Sequence, residues 1–415
     1  MIKNDQMLFR FSLYGFLKNL RFFDPFIVLI FLESGLTFFQ IGLLYAIRDL
    51  ATNIFEIPTG IFADAFGRRK SMIMAFLAYI ASFFIFYLLS DFYAFAGAML
   101  LFGLGEAFRS GTHKALILEY LNIQNMGDMK VAYYGRTRSA SQFGSAINAL
   151  IAAVLVFYTG SYRIMFLAAV VPYVLDLFNL MTYPSELDGT LMKVTKETLF
   201  ERLRVTLQDF TTMFSDGAAL RSVANSASFG ALFKTTKDYL QPILESFALS
   251  LPFFLWLTDK KRSAVVIGII YFVIYLFTSY ASRKAAGFSQ RFSSLGRAIN
   301  ITFLLGVGLL FIAGFVTWLQ LIIFSIIIFL GFYILHNLRR PMNVAFISDQ
   351  ISHHVMASGL SVESQLTTLL TVVFAPILGG LADHLGIGAA LAILGFCVLL
   401  LFSFVRVQEK PSDSL

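Results

Sequence analysis

The chain has 415 residues, 58% of them hydrophobic and only 14% charged, with 47 Phe and a formal net charge of +7. A soluble domain of this length carries a coat of about 25% Asp, Glu, Lys and Arg, so composition excludes a water-soluble enzyme. It also excludes a nucleic-acid-binding domain, because the positive charge is scattered through connections between apolar blocks rather than gathered on one face. Those blocks run to about 20 residues, the length at which a helix crosses about 30 Å of hydrocarbon.

Met1 to Arg10 is short and polar and leads into an apolar stretch with no A-x-A-like cleavage site, so the first block reads as the first span. Twelve helical spans are predicted, at about 9–33, 38–62, 71–90, 92–118, 132–157, 161–183, 220–246, 263–282, 297–315, 317–345, 358–381 and 387–406. Strands are not expected, because helices satisfy their backbone hydrogen bonds internally and the blocks lack barrel-type alternation. The fold class is therefore an all-α integral membrane protein of two six-helix halves, 1–183 and 220–415. A polar stretch, 184–219, joins them as a cytoplasmic linker and reads in part as an amphipathic helix. Cys397, the single cysteine, stands in an apolar block as a small packing residue, offering neither a disulfide nor a metal ligand set.

The basic residues set the orientation. Arg68, Arg69, Lys70, Arg136, Arg138, Arg283, Lys284, Arg339 and Arg340 fall with both tails on one side, against only Arg163, Lys260, Lys261 and Arg262 on the other. Basic connections stay in the cytoplasm, so both termini are expected inside and the protein in a bacterial inner membrane, as a monomer in the bilayer. The Lys260–Arg262 cluster is the exception, read as an interfacial cap on the eighth span.

Between the second and third spans the sequence runs Gly60-Ile61-Phe62-Ala63-Asp64-Ala65-Phe66-Gly67-Arg68-Arg69-Lys70. Gly67 permits a tight reversal, Asp64 is able to accept from a helix N-terminus or a basic partner, and the basic run holds the loop inside. This segment resembles the signature loop of the major facilitator superfamily, G-x-L-A-D-R-x-G-R-[RK], with Phe62 in place of Leu and Ala65 in place of the first Arg. The resemblance implies twelve helices in two halves, secondary transport by alternating access, and a cytoplasmic gate carried by Gly60, Asp64, Gly67, Arg68 and Arg69. The preceding Glu56-Ile57-Pro58-Thr59 resembles uncharacterised members. Phe108-Arg109-Ser110-Gly111 matches the fourth helix of the family only loosely. The fifth span lacks the G-x-x-x-G-P-x-x-G-G pattern of drug exporters, which weighs against that rival. Gly379-Gly380-Leu381-Ala382-Asp383 resembles the signature without its arginines and reads as a tight turn before the last span.

Charges inside spans are expensive and need partners or a water-filled cavity. The first span offers Lys18, Arg21 and Asp24 at i, i+3, i+6, followed by Pro25, which removes a donor and allows a break. The second carries Arg48, Asp49, Asn53 and Glu56, the fourth Glu106, Arg109 and His113, the seventh Lys234, Lys237 and Asp238, and the tenth His336. One reading is interhelical pairing: Arg21 with Asp24, Arg109 with Glu106, Lys237 with Asp238. The other is a central polar cavity, in which Lys18, Arg21, Asp24, Arg109, Lys234, Lys237 and His336 bind substrate and Asp49, Glu56 and Glu106 couple protons. The first and seventh spans share a K-x-x-[RK] pair followed by a proline, as equivalent members of parallel repeats do, and their surplus of positive charge points to an anionic or zwitterionic organic solute.

No H-E-x-x-H, G-x-S-x-G or Walker sequence is present, so neither an enzymatic activity nor a cofactor is expected. The function read from the sequence is proton-coupled secondary transport. Its rivals are a multidrug/proton antiporter of the same fold and, from another class, a membrane sensor or lipid-acting enzyme.

Overall fold

The computed structural model describes residues 5–189, 191, 204, 217–253, 255–350 and 356–408; the expected amphipathic helix of the linker lies outside them. Among the described residues there is no strand. The helices are α1 (Gln6–Leu17), α2 (Ile27–Glu33), α3 (Phe38–Phe66), α4 (Arg68–Leu88), α5 (Phe92–Arg109), α6 (Thr112–Ile123), α7 (Lys130–Thr159) and α8 (Ile164–Met181), then α9 (Gly217–Thr236), α10 (Leu240–Ser250), α11 (Asp259–Ser289), α12 (Leu295–Trp318), α13 (Ile322–Gln350), α14 (Met356–Leu385) and α15 (Ile387–Val405).

Eight of these are long and apolar enough to cross a bilayer by themselves. The other four expected spans are α3 and three helices interrupted part-way: α1 with α2, α5 with α6, and α9 with α10. The first interruption is the one Pro25 allows. Lys18 to Phe23 leave the helix, and a single 3-10 turn, Asp24–Phe26, carries the chain into α2. In the seventh span a 3-10 turn, Lys237–Tyr239, stands between α9 and α10. Both interruptions fall on the charged pairs that the sequence singles out.

The described chain forms two compact units. Unit 1 comprises 1–34, 47–201 and 251–275. Its core is aromatic, with Phe23 from the interruption of the first span packed ring to ring with Phe83 and Phe86 of α4, Phe102 of α5 and Phe166 of α8. Unit 2 comprises 35–46, 202–250 and 276–415, with α12 against α13 and α15, and α9 against α14. Two helices, α3 and α11, belong to one unit at their start and to the other further on.

Within unit 2 the start of α3 lies against α14 at backbone contact. A Cβ on Gly42 would collide with the Ala375 carbonyl, and one on Gly379 with the Phe38 carbonyl. The turn expected at Gly379–Asp383 is therefore not there: α14 continues to Leu385. The glycine pair lies where a neighbouring backbone approaches, not where the chain reverses. Asp383 accepts from the Phe38 and Phe39 amides at 2.8 Å each, filling donors that the first turn of any helix leaves open.

The exceptional cations near 260 have partners inside unit 1. Lys260 pairs with Glu33 and lies 5.9 Å over the Tyr162 ring, Lys261 lies 5.5 Å over Phe157, and Arg262 donates to the Leu251 carbonyl at 2.6 Å.

Candidate functional site

In unit 1 the interruption between α1 and α2 frees backbone carbonyls, and side chains of α7 and α8 take them up. Tyr173 donates its hydroxyl to the Lys18 carbonyl at 3.0 Å, and Asn148 donates to the Arg21 carbonyl at 3.1 Å. The same Tyr173 oxygen accepts from Arg21 Nε at 2.6 Å. Tyr173 thus holds both the irregular backbone and the cation it carries.

Arg21 then reaches Glu106 on α5, Nη2 to Oε1, at 2.7 Å. The other carboxylate oxygen of Glu106 accepts from Arg109, whose Nε donates to the Tyr79 hydroxyl at 3.1 Å. One carboxylate therefore holds two guanidinium groups side by side. The Arg21 guanidinium carbon lies 4.9 Å from the Phe102 ring centroid and 5.5 Å from that of Tyr79. The arginine side chains nevertheless keep 20% and 25% of their surface, so the pair is presented rather than sealed. Lys18 lies 5.4 Å over Tyr14, which stacks on His113 at 3.7 Å.

Of the expected pairings, Arg109 with Glu106 and Lys237 with Asp238 are present, and Arg21 contacts Glu106, 85 residues away, with Asp24 in electrostatic reach. Asp49 and Glu56 stand on α3 with partners of their own. Asp49 is buried against Arg48 at 2.9 Å, and Glu56 accepts from the Ser110 hydroxyl at 3.1 Å.

At the signature loop Gly67 adopts φ +106° between α3 and α4, a conformation that residues with a Cβ avoid. The acceptor at the start of α4 is Asp188, which takes the Arg69 amide at 2.7 Å and lies where a Gly67 Cβ would be. Arg68 pairs with Glu119 at 3.1 Å, and Arg69 donates to the Tyr183 carbonyl at 2.9 Å. Gly60 and Asp64 lie in the last turns of α3.

Unit 2 repeats the arrangement of unit 1 in outline. Lys237 pairs with Asp238 at 2.7 Å, Tyr333 donates to the Lys237 carbonyl at 2.9 Å, and Tyr45 donates to Asp238 at 3.3 Å. Lys234 lies in the last turn of α9. His336 stacks face to face on Phe233 at 3.6 Å. Arg339, expected on the cytoplasmic side near the end of the tenth span, is 1% exposed inside α13. It donates to the Thr302 hydroxyl at 2.8 Å, to Asn225 at 2.7 Å and to the Ile299 carbonyl at 2.5 Å, with its guanidinium 4.3 Å from the Phe229 centroid. Nearby, Glu363 on α14 accepts from Ser226 at 2.8 Å, which accepts from Asn343 at 3.0 Å. Lys18 and Arg21 thus belong to one unit and Lys234 and Lys237 to the other.

The sequence profile described as Major Facilitator Superfamily matches residues 12–364. The chain belongs to the major facilitator superfamily. A relative of the superfamily, an uncharacterized MFS-type transporter YxaM of Bacillus subtilis (strain 168), is 31% identical over 90 residues, which is 22% of this chain and 23% of that protein. Among solved structures, the nucleoside transporter NupG is similar with a TM-score of 0.77 at 13% identity, over 98% of this chain and 100% of that one. A POT family transporter in complex with 5-aminolevulinic acid has a TM-score of 0.72 at 15% identity, over 96% and 95% of the two chains. At such identities the likeness is one of fold, twelve helices in two halves.

Superfamily membership makes the chain a multi-pass membrane protein and a secondary transporter, not an enzyme. Among the charged side chains of its interior, Asp176, Arg339 and Glu363 are not marked out as site residues by the sequence. Asp176 is one acid in an apolar span, and Arg339 stands in a basic pair that marks the cytoplasmic end of its span. For Asp176 the signal within reach was Asn179 at i+3, a neighbour on the same helix face.

Proposed function

We propose that the protein transports a small anionic or zwitterionic organic solute by alternating access, coupled to protons, as a monomer with both termini in the cytoplasm of a bacterial inner membrane. The observation that carries the reading is the sharing of Glu106 by Arg21 and Arg109. Their fixed, partly accessible guanidinium groups form a paired donor surface of the kind that carboxylates and phosphates fit. With Lys18 beside them the cluster holds more cations than its carboxylate balances, and an incoming anion supplies the difference. Lys234, Lys237 and His336 form a second polar group in unit 2, and Asp24, Asp49 and Glu56 add acidic charge to the spans. Proton coupling enters because Glu106 competes with an anion for the same arginines, so neutralising a carboxyl group in unit 1 favours the bound anion.

Thermal unfolding of purified protein against a panel of carboxylate and phosphate metabolites identifies the ligand, since binding to the folded state raises the midpoint. Arg21→Ala and Arg109→Ala are each expected to weaken that ligand by about 1.5–3 kcal/mol, the range for a hydrogen bond to a charged group. Uptake of the same compound into proteoliposomes, driven by an imposed pH difference, tests transport and coupling together. A cationic substrate, or normal binding by both variants, overturns the anion reading.

A further inference from the structure

The acids of the spans that the sequence marks out meet partners: Glu106 touches two arginines, Asp49 touches Arg48, Glu56 accepts from Ser110, and Asp238 pairs with Lys237. Asp176 on α8 does not fit that pattern. It has no exposed surface. Its Oδ1 accepts from the Asn179 side-chain Nδ2 at 3.1 Å, and its Oδ2 is buried and accepts from no described residue. A buried carboxylate oxygen without a donor bears an uncompensated desolvation cost. A proton on that oxygen removes the charge and supplies a donor where an unpaired acceptor stands.

We propose that Asp176 is a proton-carrying residue of this transporter, exchanging its proton against the charge of Lys18. In the exchange the O–H bond at Asp176 Oδ2 breaks and its proton passes to solvent water as hydronium, the carboxylate formed is balanced by the Lys18 ammonium, and a proton taken back from hydronium re-forms the O–H bond and the neutral acid. No other bond is made or broken.

The surroundings fit the role. Lys18, from the interrupted stretch of the first span, is the charged group in electrostatic reach of Asp176 without touching it. Also from α1, Tyr14 stands near Asp176 and near Arg109 and Glu106, so it connects the acid to the paired arginines. From just beyond the end of α8, Tyr183 lies in reach of Asp176 and of Arg10. His113 of α6 stacks on Tyr14, and its Nε2 is buried with no described partner. From α4, Tyr79 is turned to Arg109 instead, and α7 adds no charged partner among the described residues. A proton on Asp176 is thus one aromatic side chain removed from the arginine pair, close enough for anion and proton to be felt by each other.

This rests on the proton-coupled part of the proposed function, and it is tested apart from it. Infrared spectra of the purified full-length protein, followed from mildly acid to mildly alkaline pH, are expected to show a carboxylic-acid carbonyl band that bleaches as pH rises. Asp176→Asn, which keeps shape and volume, is expected to remove that band while Asp49→Asn leaves it. Lys18→Met is expected to hold the band to higher pH, because the cation that stabilises the carboxylate is gone. Should Asp176→Asn fail to fold, the Lys18→Met shift decides alone. No acid band in the native protein, its survival in Asp176→Asn, or an unmoved band in Lys18→Met overturns the proposal. A band that behaves as expected in a protein whose uptake ignores the pH difference leaves the proton site standing and removes the coupling.

Discussion

Single side chains decide how the interior charges are tolerated. Breaking a buried ion pair by removing one partner costs about 3–5 kcal/mol, because the remaining charge stays buried. Glu106 serves two arginines, so Glu106→Gln is expected to lower the thermal unfolding midpoint more than Arg109→Ala does, with scanning calorimetry or dye-based melting as the check. Equal midpoints would show that the arginines find other anions. Outside the spans, Asp5 caps α1 and accepts from the Tyr120 hydroxyl at 2.9 Å and from Tyr133. Burial pushes its carboxyl up, but the two tyrosine hydroxyls and the Met7 and Leu8 amides outweigh that and hold it below its ordinary value of 3.8. A depressed carboxyl contributes stability above the ordinary value and loses it as pH falls through the lowered one. The N-terminal seat is therefore expected to hold throughout the neutral range and to loosen only below about pH 4. Limited proteolysis near the N-terminus should accelerate there, and Asp5→Ala should reproduce that acceleration at neutral pH.

At the scale of elements, the glycine contacts separate close approach from ordinary helix packing. A methyl group on Gly42 meets the backbone of α14, which has no rotamer with which to yield. Overpacking of that kind costs about 1–3 kcal/mol. Gly42→Ala is expected to lower stability by that amount, whereas Gly97→Ala on α5, where a Cβ meets nothing within 4 Å, is expected to be neutral or mildly stabilising. Matching gains at the two sites would argue that helix propensity rather than contact governs both. The interrupted helices follow the same logic from the other side. Pro25 takes away a donor, and Tyr173 and Asn148 supply donors to the carbonyls of the break, so the irregular backbone is supported by its neighbours and is not strained.

For the whole molecule the basic residues outside the spans predict the orientation, and a fluorescent reporter fused after Leu415 is expected to light up in the cytoplasm. A dark fusion at normal expression overturns it. Length and order of the spans, the interruption at Pro25 and the reversal at Gly67 were all legible along the chain, because hydropathy, a missing amide and a missing Cβ act within a few residues of where they are written. Asp383 lies inside α14 and not in the expected turn, and the roles of Asp383, Asp188 and Arg339 are each defined by a partner elsewhere in the chain: the α3 amides, the Arg69 amide, and Asn225 with Thr302. The Arg21 charge was legible as a cost, but its settlement on Glu106 was not. Local sequence determines which segments enter the membrane and where their backbones yield. Which charge meets which, and which acid is left with an open oxygen, is decided only when helices far apart in sequence are brought side by side, since a hydrogen bond acts over about 3 Å of space whatever the separation along the chain.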